Sequence, residues 1–408
     1  MAARTSTPDP ADTVRTVTDS ERRARIARRH AVHPDHRLDS VEEVAEAMVA
    51  LHATEAATVH LSVAARSDRT VADVERALYD DRSVVKQLAM RRTLFAFPRD
   101  LLPSVLSSSS ARVAASERSR HAGMLEKAGL VEDGLAWIAE AEATTLAALS
   151  DGVTRTTAEV RRLTPDHDLM LDLAPGKSYN RQSPVAPWIL THLAVDGVLV
   201  RGRNAGHWRI NKPAWTLMST WLGEEPERPP AREGYAELVR RWLRTFGPGT
   251  EDDVQWWLGD TKGTVRQALA DVEAVPVALE SGATGWLLPD DLDETEPVTP
   301  WAALLPVLDP TVMGWKQRGF YLDDAVARRH TDANGNIGAT AWWEGRVVGA
   351  WSQEPDGTVV VHPDGPLPRA ATTALEAEAR RLTAWMGGEV VGTIYTSPAV
   401  KEARAARA

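Results

Sequence analysis

The side chains of this sequence most suited to chemistry are basic and clustered. Within residues 172–212, Lys177, Arg181, Arg201, Arg203, Arg209 and Lys212 face only Asp172 and Asp196, a local excess of about +4. Cations grouped in this way neutralise phosphates, so the stretch is a candidate contact for nucleic acid, although plain solvated surface carries similar charge. Lys86, Arg91 and Arg92 make a second, smaller group. Other chemistries are scarcer. The absence of cysteine excludes disulfide staples, thiolate metal sites and a cysteine nucleophile. His30, His33 and His36 are spaced by three, but Pro34 interrupts any helix there, so a solvated loop is expected and no metal site. Gly202–Gly206 lacks the following helix of a nucleotide-binding loop. No cofactor is expected.

These residues need elements to hold them. Ser40, with Glu43 three positions on, signals a capped helix through Val44 and Met48 that stops near His52–Thr54. Further helices through Val59–Val63 and Val74–Leu78 follow, then two runs of strand character, Val84–Met90 and Thr93–Phe97. Three helices and a two-stranded ribbon are the order of a winged helix. The order recurs with Thr156 or Thr157 as cap, a helix over Pro184–Asp196 and strands at Val198–Arg201 and His207–Ile210. It recurs again with helices at Tyr235–Phe246, after Thr250 and over Thr264–Val272, then strands at Val275–Glu280 and Gly285–Leu288. The predicted fold is α+β and mostly helical. A disordered lead over 1–19 precedes winged-helix units at 20–100, 151–215 and 235–290. A helical connector spans 101–150, and a small strand-rich C-terminal domain spans 301–400. The fifteen tryptophans, Trp188, Trp256, Trp257 and Trp342 among them, mostly follow apolar periodicity and are expected in the core or at interfaces.

The net charge of −10 does not oppose DNA binding, because its carboxylates gather in the third unit and around Asp290–Glu296. That unit is expected to be structural or to face away from a duplex. No apolar run approaches the roughly 20 residues of a membrane helix, and the N-terminus lacks an apolar signal core. A soluble cytoplasmic protein associated with the nucleoid is expected. On spacing alone, His52-Ala53-Thr54-Glu55 reads as helix punctuation. His52 falls near the buried face and C-terminal end of one helix, and Thr54 caps the next.

Four segments, in order, resemble the AlkZ/YcaQ-like winged-helix DNA glycosylases. They are Val49–Ala57 with Ala64-Ala65-Arg66; Met90-Arg91-Arg92-Thr93-Leu94-Phe95; Phe246-Gly247-Pro248 with Asp253 and Trp257; and Leu304–Asp309 ending in Lys316-Gln317-Arg318. The resemblance covers roughly residues 20–390. It implies tandem winged helices that cradle duplex DNA and hydrolyse the N-glycosidic bond of alkylated purines. The family's catalytic motif is Gln–hydrophobic–Gln or Gln–hydrophobic–Asp. The matching positions here are His52-Ala53-Thr54, so both glutamines are replaced, and Arg92 and Phe95 replace a glycine and a histidine of the second segment.

The resemblance casts His52 as acceptor of a proton from water, Thr54 as holder of that water and Glu55 as negative charge beside the sugar. Lys86, Arg91, Arg92, Lys177, Arg181, Arg201, Arg203 and Arg209 are the expected DNA contacts. Two functions follow: a monofunctional DNA repair glycosylase acting on N7- or N3-alkylated purines in duplex DNA, or a non-catalytic winged-helix DNA-binding protein such as a regulator. In either case the expected partner is duplex DNA, alkyl-damaged in the first, and the expected state is monomeric.

Overall fold

The structure is a computed structural model that describes residues 15–172, 181–332 and 334–406. Lys177 and most of the expected N-terminal lead lie outside the described residues. The end of that lead is ordered: Thr16–Val17 pairs in parallel with Ala278 and Leu279. Thr18 then caps the helix Asp19–Arg29. A β-branched pair beside an open strand edge can add to the sheet despite its polar context.

One element order, helix, short strand, two helices and an antiparallel hairpin, occurs three times. The first begins with Val41–Ala47, started by the Ser40–Glu43 capping box. That helix ends five residues earlier than the apolar spacing suggests, because Val49 takes a left-handed conformation (φ 63°). Leu51–His52 is therefore a strand, paired with Ala96 and Phe95. The helices Ala56–Ala64 and Val71–Glu75 and the hairpin Val84–Ala89/Thr93–Pro98 complete the set. The second set runs from Gly134–Ala148 through Arg155–Thr156, Thr157–Leu163 and Ala186–Val195 to the hairpin Leu199–Asn204/Pro213–Leu217. The third uses Ala231–Phe246, a bridge from Gly249 to Trp286, Glu251–Leu258, Lys262–Asp271 and Val275–Leu279/Thr284–Leu287.

The remainder is a four-stranded antiparallel sheet, Ala302–Leu305, Thr340–Trp343, Arg346–Gln353 and Val359–Pro363 in spatial as in chain order, covered by the helix Arg369–Met386. No helix of the described residues is long and apolar enough to cross a membrane.

The first set, the third set and the C-terminal sheet share one core. It includes Met48, Leu51, Phe97, Trp242, Phe246, Trp315, Tyr321 and Trp342. Through this core runs a polar knot. Arg66 and Asp309 are both fully buried and joined by two bonds of 2.8 and 2.6 Å. Ser62 Oγ and the Thr311 amide donate to the same carboxylate, and Arg66 also donates to Thr311 Oγ1. His30 Nδ1 meets Thr311 Oγ1 at 2.9 Å and its Nε2 faces the Thr245 carbonyl. Each partner satisfies a group that could not stay charged or polar in the core alone.

Two outcomes follow. Asp309→Ala leaves Arg66 charged and unpaired, and should lower unfolding free energy by about 3–5 kcal/mol in denaturant titration. The histidine gives a pH signature. Burial, reinforced by the Arg66 charge, lowers the His30 pKa to about 3. A folded pKa below the unfolded value near 6.5 means stability is complete above that value and is lost as pH falls towards 3. Between pH 6 and 4 the loss should approach about 1.4 kcal/mol per pH unit from this residue. His30→Gln should flatten that slope; an unchanged slope would contradict the assignment. Asp309, held below its usual value by Arg66, acts in the same sense but only below the ordinary aspartate range.

Candidate active site

The strand Leu51–His52 puts the His-Ala-Thr-Glu tetrad where the hairpin of the first set meets the C-terminal domain. His52 is only 6 % exposed and lies edge-on to its strand partner Phe95, ring centroids 5.4 Å apart. Burial, with the nearby Arg91 charge, lowers its pKa to about 3. It is therefore neutral at pH 7, and its Nδ1 is buried without a hydrogen-bond partner. Thr54 is half-buried and its carbonyl accepts from Asn211 Nδ2 at 3.2 Å. It is not the cap that spacing suggests, since Glu55 occupies the N-cap position and makes no side-chain cap bond.

Glu55 lines a small cavity of about 50 Å³ between the helix Ala56–Ala64 and the C-terminal domain. One carboxylate oxygen accepts from Thr393 Oγ1 at 2.9 Å and the Ile394 amide at 2.8 Å. These bonds favour the charged form, but burial outweighs them and raises the carboxyl above its usual value. Trp351, Tyr395 and Thr58 share the lining, and Thr58 Oγ1 is buried with no partner.

The hairpin of the second set does not project as a free wing. Its second strand is Pro213–Leu217, not His207–Ile210, and it lies in the middle of the sheet, between Arg155–Thr156 and Leu199–Asn204. The intervening loop folds onto the rest of the protein. Trp208 packs with His60 and Trp385 at centroid distances of 5.0 and 6.1 Å. An indole able to bury this much apolar area outweighs the β propensity of the loop. The basic residues follow it inward. Arg203 pairs with Glu75 and Asp80, Arg209 with Glu389, and Arg201 lies over the Trp215 ring. Lys86 is buried and donates to Tyr79 Oη at 2.6 Å. Burial lowers its pKa to about 8. Arg92 is exposed but bound to Glu117 at 2.7 Å, whereas Arg181 is exposed.

Arg91 behaves differently. At the tip of the first hairpin it takes φ 54°, and its guanidinium lies 4.0 Å from the Trp256 ring centroid in the third set. Arg318, from the C-terminal domain, lies 5.2 Å from the same ring. Asp253 Oδ1 accepts from the Lys316 and Gln317 amides at 2.9 and 2.8 Å, which fixes the segment that carries Arg318. Trp256, expected in the core or at an interface, is partly buried against the core and serves as a platform for two cations. The basic run Lys316-Gln317-Arg318 is visible in sequence. Its meeting with Arg91 is not, because 227 positions separate them.

The four separated segments thus converge. The first and fourth join at Arg66–Asp309, the third and fourth at Asp253, and the second reaches both through Arg91, beside His52. The family model described as "DNA glycosylase AlkZ-like" matches residues 45–385. The solved DNA glycosylase AlkZ of Streptomyces sahachiroi is similar in fold, with a TM-score of 0.71 at 22 % identity over 92 % of this chain and 98 % of that one. No curated protein matches. By the match of that model to most of its length, the chain belongs to the AlkZ-like DNA glycosylase family.

Proposed function

We propose that the protein is a monofunctional DNA repair glycosylase that hydrolyses the N-glycosidic bond of N7- or N3-alkylated purines in duplex DNA. The observation that carries this reading is the convergence of four distant segments on the tetrad His52–Glu55. The three helix–hairpin sets, read as winged helices, would hold the duplex around it. Family membership supports the reaction class.

An alkylated purine is already cationic and departs without being protonated. The protein must place a water and stabilise positive charge growing on the sugar. Glu55 supplies that negative charge from a partly desolvated position, where it acts more strongly than in water. His52, with a pKa of about 3, is too weak a base to hold the proton at neutral pH. Its role is smaller: its unpartnered Nδ1 accepts a hydrogen bond from the water, with Thr54 beside it. This places Glu55, not His52, first among the expected catalytic residues. Product chemistry follows from the lining. Among the described residues no lysine borders the cavity, so no Schiff base is expected there and the strand should stay intact at the abasic site until alkali is added.

The alternative, a DNA-binding protein without catalysis, is favoured by one observation, the burial of His52 where the family carries glutamine. Variants separate the two. Glu55→Gln keeps the size and the bond to Thr393 but loses the charge; it should slow excision at least about 10²-fold with duplex affinity unchanged. His52→Ala should cost about tenfold, the scale of one hydrogen bond. Equal rates for Glu55→Gln and the parent would remove Glu55 from the mechanism. The pH profile gives an independent check. Excision should fall with acid as Glu55 protonates, with a midpoint above the ordinary glutamate value because burial raises it. An acid limb at or below that ordinary value would contradict the assignment.

A further inference from the structure

From the unpaired cations on Trp256 we infer that Arg91, Arg318 and the indole of Trp256 form a subsite for a backbone phosphate of duplex DNA. The inference rests on the DNA-binding half of the reading above and is independent of base excision.

Most arginines around this site are neutralised within the protein. Arg92, next in the chain, has Glu117; Arg203 has Glu75 and Asp80. Arg91 and Arg318 make no ion pair among the described residues, yet they share one ring. Stacking on an indole attracts each cation but neutralises neither. The neighbouring carboxylates are committed elsewhere: Asp252 to Lys262 and Lys316, Asp253 to backbone amides and the Thr250 cap, and Asp260 to Arg112 and Tyr235. The charge left over is positive.

Three further features show that the position is built. Arg91 and Arg92 occupy consecutive left-handed conformations, φ 54° and 58°, at a turn where Asn-Gly would be unstrained. Gly259 leaves room for the Arg91 stem: a Cβ there would stand 2.8 Å from Arg91 Cγ, and glycine also permits the local φ of +65°. Arg318 is aimed by Nε, which donates to the Trp315 carbonyl at 3.2 Å, and by the longer contacts of Nη1 with the Gly335 carbonyl at 3.4 Å and of Nη2 with Met313 Sδ at 3.7 Å. Beside this pair, Arg91 Nε and His52 Nδ1 are buried atoms without partners. Planar guanidiniums bind phosphate oxygens through paired N–H groups, and a phosphodiester would cancel the mutual repulsion of the two cations. A phosphate held here would sit beside the tetrad, where it would fix the register of the strand carrying the target nucleotide.

Binding of undamaged duplex, followed by fluorescence anisotropy at increasing salt, tests the inference. Losing the contact to one phosphate should make the slope of log K against log salt shallower by about 0.9. Arg318→Gln and Arg91→Gln should each show part of this change and bind more weakly at low salt, and the double variant should show all of it. Arg318→Lys should retain most of the slope yet bind more weakly, because charge remains without the paired donors. Thermal melting of each variant confirms folding; should Arg91→Gln fail to fold, Arg318→Gln decides alone. Parent-like slope and affinity in folded Arg318→Gln would overturn the inference. A second arm titrates inorganic phosphate while following arginine Nε–H resonances by NMR. Phosphate-induced shifts that vanish in Arg318→Gln without any change in duplex slope would mark a free-phosphate site and equally overturn it. A shallower slope in a protein that excises no base would leave the subsite standing and end the glycosylase reading.

Discussion

The ion pair Arg66–Asp309 is the constraint around which the candidate site is arranged. Both residues are fully removed from solvent, and the pair joins the end of the helix Ala56–Ala64 to the first turn of the C-terminal domain. A buried charge pair is a weak source of net stability compared with apolar packing, but it is intolerant of misplacement. Only one relation of the two segments gives Arg66 its bonds to Asp309, Thr311 and the Ser62 carbonyl at once. That relation sets the wall opposite Glu55 and the approach of Arg318 to Trp256. The pair is thus better understood as fixing geometry than as adding stability.

Charge elsewhere follows a consistent division. Arg203 and Arg209 of the second hairpin and its loop are spent on carboxylates of the first set and of the C-terminal domain, so they join parts of the molecule that are distant in sequence. The net acidity of the chain supplies those partners. Arg91 and Arg318, beside the tetrad, make no ion pair among the described residues. An acidic protein can present a locally positive site in this way, because a ligand meets the local field and not the total charge.

How much of this is legible in sequence depends on the range of the signal. Caps are contained in four residues: the capping box at Ser40 and the helix start at Thr250 fall where expected, and of Thr156 and Thr157 it is Thr156 that caps. The recurrent helix–hairpin order is readable for the same reason. Two local departures have tertiary causes. The strand Leu51–His52 looks helical because its apolar spacing continues that of the preceding helix; only the left-handed Val49 breaks it. The second hairpin reads as a free basic wing because nothing near Trp208 in sequence announces Trp385 or Glu389 as its partners. Its arginines are accordingly poorer candidates for DNA contact than their spacing suggests. The site itself is half legible. Glu55 and Arg91 stand out from segment order, whereas Thr58, Trp256 and Arg318 acquire meaning only when distant segments meet.

The account turns on whether this meeting place breaks a glycosidic bond. The direct measurement is mass-spectrometric detection of free base from a duplex carrying one N7-alkylguanine, incubated with excess protein for a single turnover. Release of the alkylated base, with the strand full-length until alkali is added, is the predicted result. Saturated binding of that duplex with no base released would contradict it.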